Sequence, residues 1–434
     1  DYERANPPVQ LQKYLKFIWQ NQKYLREVAS SAKVGVVYSV PSSLWRTFPL
    51  FDMCGWGQPE SIHGFARALG DAQVLYDVVI FGHPELCADK PALEALSKYE
   101  LIILPNVYSM SDNQVEAIRQ FVKQGGALLV SGEVATRNEE HLKRQTVALS
   151  DLVSLGESRV VSLPEQPELG YYENTVQKGV DDEASLNKIL NAIQSVSKVS
   201  PLVRDARKLI SVNLFQQSNP FPRIILHLIN YNYEFQDDSV KSQEEIPVRV
   251  EIPDHFEIGQ VEFLSPDNSP EGLPTTLSFN TVNDGTIEFL VPRLFLWSMI
   301  VIRTQEEIRL DSSAKTSLEA ATVALSTANK EGRTVGLTAA DKLLHAAKDA
   351  YLESDYEDAA KIAAQAKIAA QNARREGLAD VLRDHLVVPV VATAATGLIA
   401  LGLIAHLFRR RRQQKESSTQ SVKLREVIQP LGPS

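Results

Sequence analysis

One segment near the C-terminus constrains this chain more than any other feature. Residues 386–408 read LVVPVVATAATGLIALGLIAHLF, with no Asp, Glu, Lys or Arg among them. At about 1.5 Å of rise per residue, a helix of this length crosses the ~30 Å hydrocarbon core of a bilayer. We therefore predict one transmembrane helix over residues 384–408, with Leu386 and Phe408 near its two ends.

The charges on either side of this segment predict its orientation. Four basic residues follow at once, namely Arg409, Arg410, Arg411 and Arg412. The preceding flank DVLRDH has one Arg and two Asp. Because cytoplasmic flanks carry the excess of Lys and Arg, the tail 409–434 is predicted to be cytoplasmic. The large N-terminal part is then extracellular, the protein is a single-pass protein of the cell membrane, and membrane lipid is a predicted partner.

Composition excludes several classes of protein. The chain has 434 residues, 44% of them hydrophobic, and a net charge of −9. An acidic chain without a basic patch before the span argues against nucleic acid as a partner. Cys54 and Cys87 are the only cysteines, so the sequence predicts no disulfide framework and no CxxC metal site. It contains no GxxxxGK[ST] or GxGxxG phosphate loop, and neither a cofactor nor a metal is predicted. The chain starts at Asp1 without an export signal, and we therefore expect a mature chain or the C-terminal part of a longer protein.

The spacing of apolar residues divides the chain into parts. Residues 1–30 show helical spacing and are predicted to be one amphipathic linker helix that leaves an upstream region. In residues 31–200, strands such as KVGVVYSV, LIILPN and ALLVSGE alternate with helical patterns. One helix is predicted to start at Ser111 or Asp112 and to stop at Gly125 and Gly126. Such alternation predicts an α/β fold, a doubly wound parallel-sheet domain.

Two further parts precede the span. Residues 201–305 contain short alternating strands such as RIILHLINYN and IPVRVEIP without a helical period, which predicts an antiparallel β-sandwich. Residues 306–383 are rich in Ala and predict a helical stalk of three helices capped at Asp311, Thr338 and Asp355.

The stretch KYELIILPNVYSMSDNQVEAIRQFVKQGGALLVSGE resembles a known domain type. It is similar to the trimerisation domain, glutamine-amidotransferase-like in fold, of β-galactosidases in which it follows a catalytic barrel. The segment before it looks like the junction that leaves this barrel, and residues 201–305 are similar to the C-terminal β-sandwich of those enzymes. The resemblance implies a homo-oligomer, specifically a trimer. It also implies that the catalytic carboxylates belong to a barrel that this chain lacks, so whether the chain is an enzyme stays open.

Catalysis by the amidotransferase-like domain would need a Cys nucleophile on a strand-to-helix turn and a His as base. The corresponding segment ALLVSGEVATRNEEH contains no Cys. Its weak catalytic candidates are Ser131, His141 and Glu133, and Ser131 lacks the Gly-x-Ser-x-Gly context of an exposed nucleophile. We therefore predict no catalytic residue in this domain.

The loop after the first strand, FPLFDMCGWGQPESIHGF, is rich in aromatic residues. Doubly wound folds commonly bind ligands beyond the carboxyl ends of their strands. Phe48, Phe51, Trp56 and His63 are therefore candidates for carbohydrate contact. Burial against another domain or subunit is the competing interpretation.

Two hypotheses for function remain, with a third behind them. The chain is the outward-facing, non-catalytic part of a glycosidase-like surface protein that serves subunit assembly and positioning. Alternatively, it is a structural cell-surface scaffold without glycosidase activity. The third, a hydrolase that uses the amidotransferase-like site, requires Ser131 to act as a nucleophile.

Overall fold

The computed structural model describes residues 9–44, 58–83, 85, 93–154, 159–203, 209–267, 274–282 and 285–375. The described part begins with helix α1 (Val9–Gln20), a 3₁₀ turn (Gln22–Tyr24) and strand β1 (Val28–Ser30). The prediction of one helix throughout residues 1–30 is therefore wrong after Gln20. At this end of the helix, Asn21 donates from both its backbone N and its side-chain Nδ2 to the carbonyl of Phe17.

A five-stranded parallel sheet follows, in the order β3-β2-β4-β5-β6. This confirms the predicted parallel sheet. Its elements in chain order are β2 (Val34–Ser39), α2 (Val40–Leu44), α3 (Gln58–Asp71), β3 (Tyr76–Phe81), α4 (Leu93–Leu96), β4 (Leu101–Pro105), α5 (Asp112–Lys123), β5 (Ala127–Ser131), α6 (Ser150–Ser154), β6 (Val160–Leu163), α7 (Pro167–Tyr171) and α8 (Glu183–Val196). A π-helical turn over Tyr172–Gln177 lies between the last two helices.

Both faces of this sheet are covered, because neighbouring residues of a strand point to opposite sides. Ile102 of β4 belongs to a first core cluster with Ile118 of α5. The adjacent Ile103 belongs to a second core cluster with Phe65 of α3 and Ile189 of α8. The strands therefore read as continuous apolar runs in the sequence.

Helix α5 begins and ends where the sequence predicts. Ser111 is its N-cap, and its side chain accepts a hydrogen bond from the backbone N of Gln114. The Gln114 side chain accepts one in return from the Ser111 backbone N, which completes a capping box. Beyond the helix, Gly125 adopts φ +97°, a left-handed conformation that suits glycine.

Antiparallel sheets follow, as predicted. A six-stranded sheet has the order β1-β7-β8-β16-β12-β13, a three-stranded sheet the order β11-β15-β14, and β9 pairs with β10. The strands are β7 (Ile210–Gln217), β8 (Arg223–Asn230), β9 (Tyr233–Glu234), β10 (Ser239–Val240), β11 (Gln243–Glu251), β12 (Ile258–Leu264), β13 (Thr275–Leu277), β14 (Phe279–Val282), β15 (Thr286–Leu294) and β16 (Trp297–Thr304). Leu226 and Ile300 of the larger sheet share one core cluster with Val248 and Phe289 of the smaller one.

The N-terminal segment is joined to the larger antiparallel sheet. Strand β1 pairs with β7, with Ala29 opposite Gln216. Phe17 and Tyr24 are buried against the outer face of this sheet, in a cluster with Ile225 and Met299. Helix α1 therefore lies on the sheet, with part of its own surface still exposed.

Three helices complete the described chain: α9 (Gln305–Lys330), α10 (Leu337–Leu352) and α11 (Tyr356–Gln371). Their contacts are lined by alanine, including Ala321, Ala347 and Ala363, which are fully buried. Small side chains let helix backbones approach closely, so this alanine pattern yields a compact three-helix bundle.

The start of two of these helices differs from the prediction. Strand β16 runs directly into α9, which is capped by Thr304 and not by Asp311. Helix α10 starts after Gly336, whose φ of +90° turns the chain, and not at Thr338. The predicted cap of α11 is confirmed, because the Asp355 side chain accepts a hydrogen bond from the first turn.

Within the described part of the chain, no helix is both long and apolar enough to cross a bilayer. The predicted span over residues 384–408 lies outside the described residues. So do Leu386, Phe408 and the arginines at 409–412, and the membrane helix stays a prediction.

The bundle meets the larger antiparallel sheet at a group of charged side chains that we call the buried ion cluster: Arg223, Glu262, Arg303, Glu307 and Asp311. All five are buried. Arg223 Nη2 lies 2.8 Å from Glu307 Oε1, and Arg303 Nη1 lies 2.9 Å from Glu262 Oε1. Arg303 Nη2 also contacts Asp311 Oδ2 at 2.8 Å. Strands β8, β12 and β16 are thereby tied to the first two turns of α9.

Groups from the N-terminal segment, from α10 and from the turn before α11 surround this cluster. Tyr351 of α10 donates to Asp311 Oδ1 at 2.5 Å, and Arg223 Nη2 donates to Ser354 Oγ at 2.9 Å. The Arg223 guanidinium also lies 5.1 Å from the ring centroid of Tyr24. Burial, followed by the charges of Arg303 and Arg223, lowers the pKa of Lys23 to about 8. The cluster therefore joins three separate parts of the chain.

We predict that Glu307→Gln destabilises the protein by about 3–5 kcal/mol, because it leaves the buried guanidinium groups of Arg223 and Arg303, 2.8 Å and 3.0 Å from Glu307 Oε1, without this carboxylate. Urea denaturation followed by circular dichroism measures the loss. The matched control is Glu306→Gln, an exposed neighbour on α9, for which we expect a loss below about 1 kcal/mol. Equal losses in the two variants would contradict the structural role of the cluster.

Candidate functional site

The carboxyl end of the parallel sheet is where ligands of such folds usually bind, and it contains the catalytic candidates. Ser131 is the last residue of β5 and is fully buried. Its Oγ donates to the Glu168 carboxyl group, 2.7 Å from Oε1 and 2.8 Å from Oε2. The hydroxyl therefore bonds a carboxyl group from α7.

Glu168 is bound from two sides. Ser61 of α3 donates from Oγ to Glu168 Oε1 at 2.6 Å. Burial raises the pKa of Glu168, and the hydrogen bonds from Ser61 and Ser131 offset only part of that rise. The helix α3 also comes very close at Gly64, where a Cβ would lie 2.0 Å from the Glu168 carbonyl oxygen. We call Ser61, Ser131 and Glu168 the serine–glutamate group; it holds α3, α7 and β5 together.

The turn after β5 is held by the conformation of its glycine and by a hydrogen bond from its backbone. Gly132 adopts φ +68°, and a Cβ there would lie 2.3 Å from Nε2 of Gln166, so this turn requires glycine. The backbone N of Glu133 donates to Asn106 Oδ1 at 3.1 Å. The Glu133 side chain is exposed and accepts from Thr136 Oγ1 at 3.2 Å. Glu133 thus points away from the buried Ser131.

His141 belongs to a different contact group. Its Nδ1 lies 3.2 Å from Ser109 Oγ, and its ring packs edge-on against Tyr108 at 5.7 Å. Burial, and after it the charge of Arg137, lowers the pKa of His141. Ser131 and His141 therefore lie in separate hydrogen-bonded pairs.

This arrangement suits packing better than nucleophilic catalysis. A serine nucleophile needs an adjacent base and access to its substrate. Ser131 is fully buried, and its hydroxyl bonds Glu168 and, at 3.3 Å, the carbonyl of Leu163. Sequence reasoning missed Glu168 because its partners Ser61 and Ser131 lie 107 and 37 residues away, and no local pattern links them.

The predicted carbohydrate contacts are only partly described. His63 is exposed on α3, with its ring 5.8 Å from that of Tyr172. Phe48, Phe51 and Trp56 lie outside the described residues, and the carbohydrate site stays a prediction. Among the described residues, no group of three or more His, Cys, Asp or Glu side chains is arranged to hold a metal ion.

We predict that the stability of the protein depends on the protonation of Glu168. The pKa of Glu168 is raised in the folded state, so its contribution to the unfolding free energy is fully present below its ordinary pKa of 4.5. That contribution is lost as the pH rises through the folded-state pKa. The unfolding free energy of the wild type minus that of Glu168→Gln should therefore fall between pH 4.5 and pH 7.5, because glutamine stays neutral. Urea denaturation at each pH measures this difference.

The control for this experiment is Glu133→Gln, an exposed carboxyl group at the same end of the sheet. It should keep the wild-type dependence of stability on pH. A difference between the wild type and Glu168→Gln that does not change with pH would contradict the assignment.

Solved structures of glycosidases are distantly similar to this chain. An α-L-fucosidase from Paenibacillus thiaminolyticus is 14% identical, with a TM-score of 0.47, over 67% of this chain and 51% of the enzyme. A β-galactosidase from Bacillus circulans is 14% identical, with a TM-score of 0.40, over 67% and 44%. A β-galactosidase from Halorubrum lacusprofundi is 10% identical, with a TM-score of 0.33, over 62% and 42%. The matched region thus spans about half or less of each of these proteins.

No curated protein matches the chain in sequence. A family model does match the part of the chain that forms the parallel sheet and its helices, from β2 to α8. The predicted resemblance is thereby confirmed: residues 32–201 match the β-galactosidase trimerisation domain.

Proposed function

We propose that this chain is the membrane-anchored, outward-facing, non-catalytic part of a glycosidase-like surface protein, and that it serves subunit assembly and positioning. One observation carries the proposal: residues 32–201 match a domain whose name describes trimerisation. The parallel sheet of these residues is the unit that would associate with further copies of the chain.

The use of the buried carboxyl groups supports a non-catalytic role. Glycoside hydrolysis needs one carboxyl group as acid and a second as nucleophile or base beside the scissile bond. Glu168 is bound by two serines. Glu262, Glu307 and Asp311 are paired with arginines in the buried ion cluster. These groups stabilise the fold and are closed to a sugar.

The exposed side of α1 supports the positioning role. Leu11, Leu15, Ile18 and Trp19 are all exposed and fall on one stripe of the helix. On the opposite side of α1, Phe17 is buried against the larger antiparallel sheet. A stripe of this kind commonly marks a contact with another domain or protein. We infer that the domain to be positioned packs here.

The anchor would be the apolar segment 386–408, held on the cytoplasmic side by the arginines at 409–412. The bundle of α9 to α11 precedes it and is fixed to the antiparallel sheet by the buried ion cluster. This arrangement would hold the outer domains in a defined position above the membrane. The aromatic loop with Phe48, Phe51 and Trp56 would add a carbohydrate contact.

A second candidate function is a structural cell-surface scaffold without glycosidase activity. The exposed stripe of α1 fits this as well, with a separate protein as the partner. The two candidates differ in what precedes Asp1 in the mature protein. N-terminal sequencing of the protein isolated from its native membrane separates them: a preceding barrel with paired carboxylates favours the first, and its absence favours the second.

We predict that the full chain self-associates. In a mild detergent, native mass spectrometry should give a mass that is a multiple of the 48.2 kDa of one chain, with three copies expected from the domain type. The deletion of residues 386–408 should leave this mass multiple unchanged, because the association is assigned to residues 32–201. A monomer at all accessible concentrations would refute the assembly role.

We predict that the anchor also fixes the orientation. In intact cells, external protease should digest the N-terminal part and leave a C-terminal tag protected. Replacing the four arginines at 409–412 with glutamine should expose the tag in a fraction of the molecules, because the charge difference that sets orientation is then lost.

Deleting residues 386–408 should release the protein from carbonate-washed membranes. Retention of the deleted form would contradict the anchor.

A further inference from the structure

The strand β3 lies at one end of the parallel sheet and pairs with β2 alone among the described strands. Val78 and Ile80 stand on one face of β3, with 53% and 58% of their surfaces exposed. Tyr76, on the same face at the start of the strand, still packs against the second core cluster. The second core cluster therefore covers the beginning of β3. Beyond it, the apolar side chains of Val78 and Ile80 stay exposed.

The other end of the sheet is better covered. Strand β6 carries Val160 and Val161, which pack against the first and the second core cluster respectively. The bare end is thus the one formed by β3.

The backbone of β3 is also suited to association. An end strand presents unpaired N–H and C=O groups, and proteins usually protect such an edge with proline, lysine or an inward charge. The strand YDVVIF contains neither proline nor lysine. Its one charged residue, Asp77, is held by Lys98 at 2.8 Å and by the Tyr99 hydroxyl at 3.1 Å. Among the described residues, the edge therefore combines a strand that pairs on one side only with the exposed apolar side chains of Val78 and Ile80.

We propose that β3, with the pair Val78 and Ile80, is the surface on which a second copy of this chain packs. This inference rests on the proposed function, since it locates the self-association assigned to residues 32–201. A second copy is favoured as the occupant because β3 lies within the residues that match the trimerisation domain. A closed trimer requires a heterologous contact, in which β3 meets a different surface of its neighbour. A twofold dimer would pair β3 with β3.

The test compares Val78→Lys and Ile80→Lys with the wild type, in the full chain in mild detergent, by native mass spectrometry over a dilution series. The matched control is Val180→Lys, also within residues 32–201 and also 58% exposed. Each lysine is tolerated in the monomer because its position is exposed, but it buries an unpaired charge if the position is covered by a neighbour. Circular dichroism checks that all the variants are folded.

We expect the β3 variants to raise the dissociation constant of the assembly by about a hundredfold or more, and the Val180 variant to leave it unchanged. If both β3 variants assemble with the dissociation constant of the wild type, the assignment of this surface is overturned and the proposed function still stands. An assembly that dissociates with Val180→Lys instead would have the same consequence. A monomeric wild type would instead refute the self-association itself.

Discussion

The buried ion cluster is the interaction on which the arrangement of this protein depends. Moving a charge from water into a protein interior costs several kcal/mol even after relaxation, so each ion needs a full set of partners. Arg223 finds them in Glu307, 84 residues away, in Ser354, 131 residues away, and in the ring of Tyr24. The antiparallel sheet and the helical bundle are therefore tied together by ion pairs, and the N-terminal segment adds the Tyr24 ring beside Arg223.

The serine–glutamate group has a comparable role in the α/β domain. Here a single carboxyl group is buried between two hydroxyl groups, with no cation paired to it in the part of the chain that the structure describes, and burial raises its pKa. The result is a tight junction of α3, α7 and β5 at the end of the sheet where related architectures bind ligands. Ser61, Ser131 and Glu168 are thus committed to internal packing, which agrees with the proposed assembly role.

The exposed apolar surfaces complete this interpretation. The stripe on α1 and the pair Val78 and Ile80 on β3 lie on different elements, one on the antiparallel sheet and one on the parallel sheet. Two separate apolar surfaces allow two separate contacts, one with a domain to be positioned and one with a further copy.

The sequence by itself determined the elements and their type, because periodicity and capping are local. It predicted the parallel strands, a helix start at Ser111 or Asp112 and the antiparallel strands, and it showed the resemblance to the β-galactosidase trimerisation domain. It misplaced the start of α9 at Asp311, because only the tertiary structure gives that carboxylate to Arg303. The pairing of Ser131 with Glu168, 37 residues away, was likewise decided by tertiary structure, and so was that of Arg223 with Glu307 and Ser354, 84 and 131 residues away. A buried polar group is stabilised by whatever the fold brings to it, and no local pattern records that.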